Sequence, residues 1–177
     1  MDTTLILFTG LPGTGKSTLA RLTATRLHAP LLSPDYLMDF AIPRHMLECA
    51  EPFWDDLYGI MFSLADAQLA LRISVVLDGM FREQGRTMAQ RLAARRNARF
   101  RAIHTHCSDE AIWRERVQRR METALPNETP ASWEGVQQSR ESYQPWNRTD
   151  ALFVDTVNGL DENMASVLDY LLSPDLR

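Results

Sequence analysis

From residue 10 to residue 17 the chain reads Gly-Leu-Pro-Gly-Thr-Gly-Lys-Ser, three glycines followed by a lysine and a hydroxyl. Few octets constrain a fold as tightly. The spacing G-x-x-x-x-G-K-[ST] turns the backbone so that successive N–H groups face one concavity, which suits a phosphate, and it works only with a strand in front and a helix behind. Both are present. Thr4 to Thr9 (TLILFT) is a short apolar run of strand formers, and between Lys16 and His28 the residues Leu19, Ala20, Thr23 and Leu27 recur at helical spacing. The positive end of that helix then lies behind the loop. This Walker A pattern implies a nucleoside triphosphate held by Gly10, Pro12, Gly13, Thr14, Gly15, Lys16, Ser17 and Thr18. Lys16 reaches the β and γ phosphates, and the Ser17 hydroxyl holds Mg²⁺.

Lysine usage points the same way. Of the 19 basic residues all but Lys16 are arginines. On a solvated surface either cation serves, but a planar guanidinium does not fit where a compact ammonium must reach between two phosphates.

With 177 residues and 45% hydrophobic content the chain is long enough for one well-buried core and short for two, so a single domain over 1–177 is expected. The apolar start is about eight residues long and runs into the phosphate loop, which fits neither a secretory signal nor a membrane span. A cytoplasmic protein with no membrane partner is therefore expected. Cys49 and Cys107 stand far apart, outside any metal-ligand spacing, and read as free thiols. His104 and His106 alternate on a strand with no further ligands nearby, which favours packing over a metal pair.

The remaining periodicity repeats strand then helix. Strands are predicted at 4–9, 30–33, 74–78, 99–106 and 151–155, and helices near 16–28, 52–72, 84–97, 109–121, 131–143 and 161–172. Such alternation gives an α/β fold, a parallel sheet with helices on both faces, whose ligands gather at the carboxyl ends of the strands. Glu122 to Pro130 (ETALPNETP) interrupts the pattern with two prolines and no apolar face, and a short lid is expected at about 121–130.

Two carboxylates fall at strand tips. Asp78 ends Val75-Val76-Leu77 and is placed to anchor Mg²⁺ with Ser17. The next residue is Gly79, whereas water-activating ATPases commonly carry a glutamate there, and no lysine remains for the N-K-x-D of a guanine-specific GTPase. A phosphotransferase is favoured. Asp35, in Ser33-Pro34-Asp35-Tyr36, follows the second strand. It is placed either to take the proton of an alcohol acceptor or to cap the short helix after it. Between residues 82 and 120 lie eleven of the eighteen arginines against four acidic residues, while the rest of the chain has eight basic residues against nineteen acidic. This is the pattern of a phosphate-facing lobe on an acidic protein. Arg116 and Arg120 are one helical turn apart just before the expected lid and are candidates to meet the transferring phosphoryl group. Arg91, Arg95, Arg96 and Arg101 read as a solvated basic face.

Together the run LILFTGLPGTGKSTLARL, the S-x-D at Ser33 to Asp35, VVLDGMFR, RERVQRR from Arg114 to Arg120, and the YQP and VDT elements resemble the small P-loop kinases that include polynucleotide 5′-hydroxyl kinases, chloramphenicol phosphotransferase and zeta-type toxins. The resemblance implies a three-layer fold with a five-stranded parallel sheet in the order 2-3-1-4-5, ATP and Mg²⁺, and phosphoryl transfer to a hydroxyl. It also implies Lys16 and Ser17 at the nucleotide, Asp35 as general base, and Arg116 and Arg120 as lid arginines.

Tyr36, Leu37, Met38 and Asp39 stand where polynucleotide kinases often have an arginine, and the net charge of −4 gives no basic track for nucleic acid. Asp78-Gly79-Met80-Phe81-Arg82 is similar to the D-G-F-P-R of adenylate kinases, which implies that Arg82 contacts the acceptor. The stretch Asp35 to Asp56, rich in aromatic and methionine side chains, suits a small, partly apolar acceptor. The expected function is an ATP-dependent kinase of a small-molecule hydroxyl. Its alternatives are a polynucleotide or nucleotide kinase and a non-catalytic ATP-binding regulator.

Overall fold

The computed structural model describes residues 2–41, 53–124 and 130–174. In chain order the elements are β1 (Thr4–Thr9), α1 (Lys16–Leu27), β2 (Leu31–Leu32), α2 (Pro34–Ala41), α3 (Phe53–Ala70), β3 (Val75–Asp78), α4 (Glu83–Arg95), β4 (Arg99–His106), α5 (Glu110–Glu122), α6 (Trp133–Ser142), β5 (Leu152–Asp155) and α7 (Leu160–Leu172). The five strands form one sheet in the order β2-β3-β1-β4-β5, and every pairing is parallel. The α/β class and the order 2-3-1-4-5 expected from the sequence are what the chain forms.

β1 is buried along its whole length because both faces of the sheet are covered. Its side chains alternate between two cores. Leu5 and Leu7 pack with Met61, Leu77, Phe81 and Ala89 under α3 and α4. Ile6 and Phe8 pack with Leu19, Val76, Ile103 and Val167 under α1 and α7. A third cluster of Trp113, Val117 and Val136, joined by Leu11 and Trp133, seats α5 and α6 beside the phosphate loop.

Register sets the site. Phe8 lies opposite Asp78 on one side, and Thr9 opposite His104 on the other. The carboxylate ending β3 and the loop leaving β1 therefore emerge side by side.

Arg101 departs from its expected solvated position. It is buried, its Nη2 donates to the carbonyl of Ser173 at 2.9 Å, and its guanidinium lies 5.2 Å from the Tyr170 ring centroid. A strand covered on both faces has no solvated side, so its charged residue is satisfied by the end of α7. Arg95 and Arg96 both hold Asp66 on α3. The bond from Arg96, with Arg95 beside it, lowers the pKa of Asp66 to about 2. The expected packing of His104 and His106 is observed. Their rings stack 6.5 Å apart, and His104 also lies against Tyr143 and Phe153. Cys107 is a buried free thiol, while Cys49 lies outside the described residues, as does the centre of the expected lid, 125–129. Among the described residues no helix is long and apolar enough to cross a membrane.

Candidate active site

The phosphate loop is shaped from outside by β4 and α5. Gly10 has φ 152°, and a Cβ there would stand 2.5 Å from the Thr105 carbonyl oxygen. Gly13 has φ 79°, and its Cβ would fall 2.6 Å from a methyl of Val117. Neither position admits a side chain. The loop's outward carbonyls are taken up by side chains. Thr14 Oγ1 donates to Leu11 O at 2.7 Å and shares a hydrogen bond with Thr105 Oγ1 at 2.9 Å, and Trp113 Nε1 donates to Pro12 O at 2.8 Å. At the start of α1 the N-cap is Gly15, with no side chain to cap the first turn. Those N–H groups are therefore left for an anion, with the positive end of the helix behind them. Lys16 is buried at the same point.

Asp78 is 2% exposed. Burial pushes its carboxyl above the usual range. The Lys16 charge and a hydrogen bond from the Ser17 hydroxyl pull it back, and the neighbouring Asp35 charge raises it again. Its Oδ1 is buried without a hydrogen-bond partner. An orphaned carboxylate oxygen beside a serine hydroxyl is a hard oxygen donor set, and it fits the expected Mg²⁺. The site residues thus support the metal on their own chemistry.

Asp35 lies one residue inside α2, which begins at Pro34. Ser33 takes the position before the helix, and its Oγ accepts from the Asp35 N–H at 3.3 Å. The capping task that the sequence left open for Asp35 falls to Ser33, because proline at the first helical position moves the cap one step back. No hydrogen bond among the described residues engages the Asp35 carboxylate. It lines a cleft of about 1090 Å³ together with Lys16, Ser17, Thr18, Asp78, Arg82 and Arg120.

Arg116 is not part of that lining. Its Nη1 and Nη2 donate to Thr156 Oγ1 and Thr156 O, both at 2.8 Å, so it ties α5 to the turn after β5. The two arginines predicted to share a face are thus directed to different partners one turn apart. Of the stretch Asp35 to Asp56, the side chains of Tyr36, Trp54 and Asp55 line the cleft, and residues 42–52 lie outside the described residues.

Several supporting residues carried no sequence signal. Trp113 reads as an ordinary buried aromatic, yet it fixes a loop carbonyl. Arg86 donates from Nε to Phe81 O at 2.9 Å and from Nη2 to Gln144 O, beneath the rings of Tyr143 and Trp146. Tyr143 OH in turn meets Thr9 Oγ1 at 3.0 Å and His104 Nδ1 at 3.3 Å. These contacts span more than fifty residues of sequence, and no local spacing encodes them.

A parallel sheet in the order 2-3-1-4-5, a phosphate loop after its central strand and a carboxylate at the tip of β3 define the fold of the small P-loop kinases. The chain belongs to the AAA domain family, whose model matches residues 5–146. Among curated proteins none matches the sequence. Three solved structures illustrate how widely the fold is shared. Kti12 from Chaetomium thermophilum, in complex with ADP-AlF3, has a TM-score of 0.70 and 16% identity, covering 96% of this chain and 100% of its own. A gluconokinase from Sinorhizobium meliloti 1021 has a TM-score of 0.67 and 20% identity, covering 96% and 92%. The APS kinase CysC of Mycobacterium tuberculosis, in complex with AMPPNP and APS, has a TM-score of 0.63 and 20% identity, covering 97% and 99%.

Proposed function

We propose that the protein is an ATP-dependent kinase that transfers the γ-phosphoryl group to a hydroxyl of a small molecule. The observation that carries this reading is the meeting, in one cleft, of Lys16, Ser17 and the orphaned Asp78 oxygen with a second carboxylate, Asp35, that the described residues leave unengaged. A nucleotide-binding module that only binds has no use for that second carboxylate. The names of the fold's other members, a gluconokinase and an APS kinase solved with AMPPNP and APS, support a donor and an acceptor site in one cleft here.

In the step itself the acceptor oxygen attacks the γ phosphorus. Its O–H proton passes to the Asp35 carboxylate, the new O–P bond forms, and the bond from the γ phosphorus to the bridging oxygen breaks to release ADP. Lys16 and the loop N–H groups hold the β and γ phosphates. Mg²⁺, held by Ser17 and Asp78, would neutralise charge on the same oxygens. Arg120 lines the cleft where charge spreads over the separating group, and Arg82 lies on the acceptor side. Arg116 contributes to the phosphates only after exchanging its bonds to Thr156. We read the chain as one catalytic domain with a lid at about 121–130, working in the cytoplasm.

The test is a screen with ATP labelled at the γ position, Mg²⁺, and a panel of metabolites, antibiotics and oligonucleotides. Label in an organic phosphoester is the expected result. ATP binding with no transfer to any hydroxyl would favour the non-catalytic regulator.

A further inference from the structure

Resting on that reading, the cleft walls discriminate between kinds of acceptor. The wall given by α2, α3 and the β3–α4 connection consists largely of ring faces and thioethers: Tyr36, Trp54, Tyr58, Phe62, Met80 and Met88. The polar tips of its two phenols are already engaged. Tyr58 OH donates to the Met80 carbonyl at 3.3 Å, and Tyr36 OH accepts from Arg21 Nη2 at 3.4 Å. What they offer the cleft is π surface. The deeper rings are braced in place, with Tyr58 edge-on to Phe81 at 5.4 Å and Phe62 tilted against it at 6.1 Å. At the mouth, Trp54 and Tyr36 remain 42% and 38% exposed, although both belong to the cleft.

A polyol entering such a wall exchanges water for hydrocarbon at each hydroxyl, and the described residues leave few groups to replace that water. A flat ring gains instead, by stacking on faces that are otherwise wetted. The polar groups that remain near Asp35 on this side, Arg82 and Gln84, suffice for one or two substituents. We infer that the acceptor carries its hydroxyl on a flat, largely apolar ring that stacks against Trp54 and Tyr36, so that the enzyme phosphorylates ring-bearing alcohols in preference to sugars and sugar acids.

The experiment compares benzyl alcohol, 2-phenylethanol and 2-naphthylmethanol with glucose, gluconate and adenosine as acceptors of labelled γ-phosphate. The ring alcohols are expected to give a kcat/KM at least about tenfold higher than the polyols. Trp54→Ala should raise KM for the ring alcohols about tenfold while leaving KM for ATP unchanged, and Trp54→Phe should restore it. Because Trp54 is half exposed in the first turn of α3, both variants should melt with the wild type. Preference for glucose, gluconate or adenosine, or unchanged KM in Trp54→Ala, would overturn the inference and leave the kinase reading standing. Transfer to none of the six by a protein that still binds ATP would count against the kinase reading itself, and the inference would fall with it.

Discussion

An ammonium on a flexible stem and a planar guanidinium carry the same charge, but Lys16 is buried behind a loop whose inner surface is lined by backbone N–H groups. Only the compact ion reaches between two phosphates there. Lys16→Arg should therefore abolish transfer as completely as Lys16→Met, with both variants melting near the wild-type temperature. Near-normal turnover in Lys16→Arg would remove this lysine from its central role. Asp35 admits a cleaner separation than its sequence context suggested, since Ser33 carries the cap. Asp35→Asn should lower turnover by roughly two to four orders of magnitude and leave stability almost unchanged. Ser33→Ala should cost about 1 kcal/mol of stability, measured by denaturant unfolding, through the lost cap. If Asp35→Asn lost melting temperature in step with activity, the carboxylate would be structural.

At the scale of elements, α5 does two things with two arginines. Arg120→Ala should lower turnover far more than ATP affinity, because its contact strengthens as the γ-phosphoryl group separates, and it should leave the melting curve in place. Arg116→Ala should lower turnover too. It should also destabilise the protein by about 2 kcal/mol, since two hydrogen bonds to Thr156 are lost and the turn after β5 comes loose from α5. Equal stability of the two variants would contradict this division. The sequence made α5 and its capping Asp109 legible, together with nearly every other helix and strand, because each carries its own periodicity and turn signals. It did not separate Arg116 from Arg120. A four-residue spacing says that two side chains share a face, and only the tertiary neighbours say what each meets. The same reason hid Trp113 and placed Arg101 on a solvated face. The indole's bond to Pro12 and the guanidinium's to Ser173 join residues 101 and 72 positions apart. Lys16, Ser17, Asp78 and Asp35 were legible because phosphate chemistry demands those residue types at fixed distances from strand ends.

Across the whole molecule, the contacts behind the phosphate loop make stability depend on pH. Burial, then the charges of His106, Arg86 and Arg148, lower the pKa of His104 from 6.5 to about 4. A ring whose folded pKa lies below its ordinary value favours the fold while neutral. Stability is full above about pH 6.5 and falls as the pH drops toward 4, by on the order of 3 kcal/mol in total. Asp66, with its pKa lowered to about 2, contributes in a separate window. Its stabilisation is present above the ordinary carboxylate value near 3.8 and is lost only as the pH falls toward 2. His104→Phe keeps the ring packing and should flatten unfolding free energy between pH 6.5 and 4, while leaving the loss below pH 4 intact. A wild-type slope in that variant would assign the upper window to other groups. The sheet, the loop and the cleft at its carboxyl edge together make one claim: the γ-phosphoryl group leaves ATP for an alcohol rather than for water. The direct measurement is the amount of phosphomonoester formed per ADP released, followed by phosphorus NMR with Mg²⁺ and the best acceptor from the screen. The account predicts a ratio of one, and no ADP above background when the acceptor is omitted. ADP accumulating with inorganic phosphate, at a rate indifferent to the acceptor, would contradict it.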